Sequence, residues 1–252
     1  GLGYNTSVLL DNQAKLSYTG GDPALYPARL TTNATIEVRQ PVMSTIAKTG
    51  AVVGRTAIGD GSSANPYQVI IATDTTHFQL KSCNNGLAPA YNVKLSDLLA
   101  SQLNESSITT PVVAVGGTTL TAGTGYTYTA PTARGGSMIF VLNTPVNPGQ
   151  CVTVDYNIGF HTDFGPNQTW NNSATLNEYW SLPAQSGQKY APTGSSQFYM
   201  TNKVSVTPLA KSLVSPVSPA EATIGQEAVY QITVPGVAVS AELDNIVVSD
   251  TL

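Results

Sequence analysis

The sequence predicts an all-β protein made of Greek-key β-sandwich units in tandem, one complete unit flanked by two partial ones. Three observations lead there. Short segments with apolar residues at alternate positions recur along the whole 252-residue chain, and helical periodicity is almost absent. Turn-forming residues, 22 Gly and 16 Pro, are spread between those segments. The chain also repeats itself. Asn92-Val93-Lys94-Leu95-Ser96-Asp97-Leu98-Leu99 returns as Asn245-Ile246-Val247-Val248-Ser249-Asp250-Thr251-Leu252, which places Asp250 153 residues after Asp97. Ala47-Lys48 returns as Ala210-Lys211, and Tyr67-Gln68-Val69-Ile70 as Tyr230-Gln231-Ile232-Thr233, both 163 residues on. Asn12-Gln13-Ala14 returns as Asn172-Ser173-Ala174, 160 residues on. Several matches in one order and at nearly one spacing indicate an internal repeat. It divides the chain into a closing part (1–40), a complete unit (41–205) and an opening part (206–252).

Taken in order, residues 8–18 and 34–42 alternate like half-buried strands, and the connection between them opens with a Gly-Gly-Asp-Pro turn at Gly20 to Pro23. Residues 43–49 continue as a strand that carries Lys48, and 59–63 form a loop. Residues 66–73 are apolar enough for a strand buried on both faces. From 79 a strand runs to an Asn84-Asn85-Gly86 turn and on to the 92–99 strand. Residues 97–103 suggest one helical turn, the only helix expected in the central unit. Gly116-Gly117, between 112–115 and 118–121, is a hairpin signal. Strands at 126–130 and 137–142 follow. A Pro-rich turn at 145–149 leads into 151–158, where Val152, Val154 and Tyr156 alternate with polar residues. Residues 170–179 close the unit, and 198–207 lead to the next.

Composition narrows the function. Charged residues make up 10% of the chain and the net charge is −4, too sparse and too acidic for a nucleic-acid or anionic-membrane surface. Thr, Ser, Asn, Gly and Tyr carry the polarity, as in many extracellular β-proteins. No apolar run is long enough to cross a bilayer. His77 and His161 stand far apart without motif neighbours, and no phosphate-cradling loop or nucleophile elbow appears, so the sequence reads as non-enzymatic, with no cofactor and no metal site. Asp60-Gly61-Ser62 lacks the further carboxylates of a calcium loop and reads as a turn. Five Asn-x-Ser/Thr sequons begin at Asn5, Asn33, Asn104, Asn167 and Asn171. Cys83 and Cys151 fall in different predicted strands 68 residues apart, and two readings stand: a disulfide in an oxidising compartment, or two small thiols buried in the core.

A family resemblance emerges from the central unit. A first strand ends in Lys and is followed by a Tyr-x-hydrophobic strand. Then comes Asn-Gly-x-Ala-x-x-x-Asn-Val-x-x-x-Asp-x-Leu, here Asn85 through Leu99. A Pro-Gly turn enters an alternating strand, and the unit closes on Asn-x-Ala. This pattern resembles the immunoglobulin-like repeat domains, including the isopeptide-forming fimbrial kind, of bacterial surface proteins, adhesins and pilins. The resemblance implies an intramolecular bond between a first-strand Lys and a last-strand Asn, assisted by an acid, and the positions that match are Lys48, Asn172 and Asp97. Burial would favour a neutral, nucleophilic amine at Lys48 and a protonated Asp97 able to polarise the Asn172 carboxamide. The plainer reading keeps Lys48 in a salt bridge, Asp97 as a helix cap and Asn172 as a strand-end residue bonded to backbone.

The partial units bear on partners. A fragment of a sandwich exposes strand edges that another strand can cover. The expectation is a structural or adhesive protein at the cell surface, outside the cell, polymeric through itself or through neighbouring repeats. Residues 206–252 would be completed by a 1–40 segment, with Lys211, Asp250 and Asn12 in the roles of Lys48, Asp97 and Asn172. The alternative is a non-catalytic module that binds a carbohydrate, a host molecule or another surface.

Overall fold

The computed structural model describes residues 8–16, 29–30, 34–54, 56, 58–69, 74–165, 167–202, 209–216, 221–234 and 246–251. Among them there is no α-helix; the only helical piece is a 3₁₀ turn at Glu105–Ser107. In the N-terminal part, β1 (Val8–Asn12), β2 (Lys15–Leu16), β3 (Arg29–Leu30) and β4 (Ala34–Val38) form two antiparallel ribbons, β1 with β4 and β2 with β3. Asn12 faces Ala34 across the first. The central strands are β5 (Ala47–Val52), β6 (Tyr67–Gln68), β7 (Thr76–Cys83), β8 (Tyr91–Leu98), β9 (Val112–Val115), β10 (Thr118–Thr119), β11 (Tyr126–Thr129), β12 (Ser137–Leu142), β13 (Cys151–Ile158), β14 (Thr169–Leu182), β15 (Ser186–Tyr190) and β16 (Ser195–Thr201). At the C-terminal end, β17 (Ala210–Ser215) pairs with β18 (Val229–Thr233).

The central strands form two sheets. One runs β10-β9-β13-β7-β5; the other runs β11-β12-β8-β14-β16-β6, with β15 paired to β14. The chain passes from one sheet to the other between β5 and β6, β6 and β7, and β7 and β8, so strands adjacent in sequence face each other across the core. Period-2 burial explains why the sheets stack: β12 and β13 alternate half-buried and buried residues from end to end. Phe78, Leu80, Leu95, Phe140, Val154 and Leu176, from both sheets, are buried together, each worth about 1.5–3 kcal/mol of transfer free energy. In β14 the alternation slips at a bulge near Leu176 and Glu178, which turns Tyr179 inward. The β9–β10 hairpin turns on Gly116 and Gly117, both at positive φ (57° and 83°), as a primed turn requires.

Several expected elements differ. The helical turn expected at 97–103 does not form; Asp97 and Leu98 end strand β8 instead. Ser-Asp-Leu-Leu has the local look of a helix start, but β8 is hydrogen-bonded to β12 on one side and β14 on the other, and that ladder prevails. The strand expected at 43–49 begins at Ala47, with Met43 in an isolated bridge to Asn84. Of the strand expected at 66–73, Tyr67–Gln68 form one, parallel to β16, and residues 70–73 lie outside the described set. Residues 246–251 carry no strand, whereas 92–98 do, because no flanking strands offer them a ladder among the described residues; Asn245 and Leu252 lie outside that set. Tyr230 also occupies a different place from the one the sequence match gave it. Tyr67 lies in the seven-stranded sheet, while β18 pairs with β17 as β7 pairs with β5. Lys211 faces Ile232 as Lys48 faces Leu80, and Leu213 faces Tyr230 as Gly50 faces Phe78. Tyr230 is therefore the counterpart of Phe78.

Candidate functional site

Lys48 sits on β5, the edge strand of the five-stranded sheet, with its neighbours Ala47 and Thr49 exposed and its own side chain turned into the sandwich. Two strands away, Tyr156 on β13 shares that face. Both strands pair with β7, where Leu80 is opposite Lys48 and Phe78 opposite Tyr156. From the other sheet come Asp97 on β8 and Asn172 on β14. Ala174 is opposite Asp97, so Asn172 is its diagonal neighbour on the same inward face. Four polar side chains from two sheets thus meet inside the sandwich, beside the buried apolar residues Phe78, Leu80 and Ala174.

Their contacts are closely knit. The Lys48 and Asp97 side chains have 0% exposure and form a salt bridge, Nζ donating to Asp97 Oδ2. The Tyr156 hydroxyl donates to the same Oδ2 at 2.6 Å and accepts from Lys48 Nζ at 3.3 Å. It also accepts from Asn172 Nδ2 at 3.1 Å. Lys48 Nζ lies 4.5 Å from the Phe78 ring centroid, a cation–π distance. Two buried oxygens, Asp97 Oδ1 and Asn172 Oδ1, have no hydrogen-bond partner among the described residues. An unsatisfied buried acceptor costs roughly 1–3 kcal/mol, so this is not a passive polar cluster that folding has fully paired.

Burial lowers the Lys48 amine below its ordinary value, with Asp97 acting in the opposite direction. Burial first, then the Asp97 charge, pushes the Tyr156 phenol well above its ordinary value, so it stays protonated. A buried ion pair pays desolvation for both charges. Transfer of one proton from Nζ to the carboxylate removes both charges and leaves a neutral amine, a nucleophile, in a site from which water is excluded.

The structure thus brings Lys48, Asp97 and Asn172 together around one hydroxyl. Asp97 caps no helix, and the Asn172 side chain bonds to Tyr156 rather than to backbone. Sequence reasoning missed Tyr156 as part of the site. The available signal was a phenol at an inward position of an alternating strand, where its hydroxyl needs a polar partner. In the C-terminal part, Lys211 Nζ donates to Asp250 Oδ1 at 2.7 Å and Oδ2 at 2.9 Å and lies 4.7 Å from the Tyr230 ring centroid. Both side chains are 37% exposed. Asn12 is exposed, and among the described residues no hydrogen bond joins it to that pair.

Cys83 and Cys151 form a disulfide between directly opposed residues of β7 and β13. Their neighbours Ser82 and Val152 point inward, so the bridge lies on the outer face of the sheet and not in the core. His161 pairs with Glu105 at 2.9 Å, partly buried, and His77 with Asp155 at 3.3 Å, nearer the surface. No group of three or more His, Cys, Asp or Glu side chains able to hold a metal is gathered among the described residues, and none of the described helices is long and apolar enough to cross a membrane.

No family model matches the chain, and no curated protein does. Among solved structures, it is similar to a C-terminal fragment of the major pilin of Streptococcus agalactiae, with 11% identity, 68% of this chain and 58% of the other covered, and a TM-score of 0.42. It is similar to the major pilin subunit of Bacillus cereus, with 9% identity, coverage of 71% and 51%, and a TM-score of 0.44. It is also similar to the collagen-binding domain of a Staphylococcus aureus adhesin, with 12% identity, coverage of 62% and 97%, and a TM-score of 0.36. The chain thus spans little more than half the length of these two pilin structures. These are partial likenesses of fold; what the chain does has to be argued from its own residues.

Proposed function

We propose that this chain is part of a structural or adhesive protein of the cell surface, a fibre or stalk of immunoglobulin-like repeats whose complete unit is locked by an isopeptide bond between Lys48 and Asn172. The observation that carries this reading is the fully buried Lys48–Asp97 pair, joined through one hydroxyl to the Asn172 carboxamide. Lys48 passes a proton to Asp97, and the neutral Nζ attacks Asn172 Cγ. The Nζ–Cγ bond forms, the Cγ–Nδ2 bond breaks, and ammonia leaves. Asp97 Oδ1 and Asn172 Oδ1 are both left unpaired, and a proton on that Asp97 oxygen would make it the acid that polarises the carboxamide. The reaction occurs once per molecule. It ties an edge strand of one sheet to a central strand of the other, Asn172 standing 124 residues after Lys48. On the loop-entropy model such a closure contributes about 4–5 kcal/mol.

In this reading residues 41–205 are the complete unit, and 1–40 and 206–252 are parts of adjoining ones. The exposed Lys211–Asp250 pair repeats the buried pair with no second sheet described over it, and an Asn12-bearing strand, from a neighbouring repeat or another molecule, supplies the missing acceptor. The rival reading as a ligand-binding module calls for aromatics gathered on an exposed face. Tyr126 is buried, and Tyr128 stacks on Phe140 at 5.0 Å, so that stretch serves the core.

The test is the intact mass of the denatured, reduced protein beside its Asn172→Ala variant. The proposal expects the wild-type chain to be one ammonia lighter than its sequence and the variant to have its full sequence mass. A wild-type chain at full sequence mass contradicts it.

A further inference from the structure

Among the described residues the Asn172 side chain has a single hydrogen bond, from Nδ2, the atom that must leave, to the Tyr156 hydroxyl. Asp97 reaches Lys48 and Tyr156 but makes no hydrogen bond to Asn172. The proton that Nζ must shed therefore has one hydrogen-bonded route to the leaving nitrogen, and it passes through Tyr156 Oη, 3.3 Å from Nζ and 3.1 Å from Nδ2. Resting on the cross-linking reaction proposed above, we propose that Tyr156 is its proton relay and a catalytic residue in its own right.

The step balances without a co-reactant. As Nζ bonds to Cγ, the Asn172 nitrogen loses its amide conjugation and gains a lone pair. Oη gives its proton to Nδ2 and takes one from Nζ. The Cγ–Nδ2 bond then breaks and neutral ammonia departs. Tyr156 is a neutral phenol before and after, and Asp97 keeps the proton it received from the Lys48 ammonium. Nothing is oxidised or reduced. The burial that holds the phenol protonated keeps the relay loaded. The bland alternative is that the hydroxyl exists only to satisfy the buried Asp97 carboxylate, which would make Tyr156 a packing residue.

The experiment follows freshly synthesised protein, quenched in acid denaturant at intervals, and reads ammonia loss by intact mass for wild type and Tyr156→Phe. The relay predicts that the folded, protease-resistant variant cross-links at least about 10²-fold more slowly, the usual contribution of a positioned acid–base group. A second form carries 3-fluorotyrosine at position 156, nearly the same shape with a more acidic phenol. It covers the case in which Tyr156→Phe does not fold, and it separates relay from packing. A rate altered severalfold supports the relay. An unchanged rate, or Tyr156→Phe cross-linking as fast as wild type, overturns it while leaving the Lys48–Asn172 bond intact. Absence of ammonia loss in wild type overturns the cross-linking reading itself.

Discussion

An ammonium group with no exposed surface persists only if its charge is matched or given up, and around Lys48 the one matching group is Asp97, itself fully buried. Substituting Lys48 by Ala removes the nucleophile and leaves the Asp97 carboxyl without its partner. Compared with Asn172→Ala, in which no cross-link forms and the pair remains, the double variant Asn172→Ala Lys48→Ala should lose roughly 3–5 kcal/mol in denaturant unfolding for the broken buried pair. Asn172→Ala preserves the pair and removes only the acceptor, which makes it the cleaner probe of titration. In that variant the folded state holds the Lys48 amine below the ordinary 10.5 of the unfolded chain. Between those values the unfolded chain binds more protons, so stability rises with pH there. The Tyr156 phenol acts in the opposite sense, since its folded value lies well above its ordinary 10.0 and the unfolded phenol ionises first. Stability should therefore climb with pH up to about 10 and then fall. Urea titrations across that range check it, and Asn172→Ala combined with Lys48→Met should lose the climb.

At the scale of strands, the site exists because four elements present inward positions at one level of the sandwich. Lys48, Asp97 and Asn172 were legible from the sequence as a pattern matched to a family, and the alternation of 151–158 correctly outlined β13 with Tyr156 in it. What was not legible was that Tyr156 would join them. Its place depends on the register of β13 against β7, and on β7 against β5, which no local pattern encodes. The helix expected from Ser96-Asp97-Leu98-Leu99 failed for a related reason: its capping signal was local, whereas pairing with β12 and β14 was not. The disulfide is independent of this site, because its two cysteines face away from the core. Replacing both Cys83 and Cys151 by Ser should lower stability by about 2–4 kcal/mol in denaturant. Ammonia loss should proceed as in wild type; a double variant that no longer cross-links would tie the two bridges together, against this account.

For the whole molecule, the same Lys–Asp pairing occurs in two settings, fully buried between sheets at Lys48 and Asp97, and 37% exposed at Lys211 and Asp250. An exposed pair is worth at most about 1 kcal/mol, so the second earns little where it stands. Its value would come from an added strand that buries it, as the second sheet buries Lys48. A peptide spanning residues 1–40, added to the chain, should slow amide exchange in β17 and β18; exchange that does not change with the peptide would remove Asn12 as the third partner. The repeat that suggested this was visible as spaced identities, yet the register of β18 reassigned one of them, from Tyr67 to Phe78, because pairing partners and not spacing define equivalent strands.

Whether Lys48 and Asn172 form one covalent unit is decided by protease mapping of the reduced, denatured protein with fragment-ion sequencing of the peptides that contain these residues. Cross-linked protein should yield one branched species joining the Lys48 and Asn172 peptides, lighter than their sum by one ammonia. Recovery of both peptides separate and at full mass would contradict the cross-link.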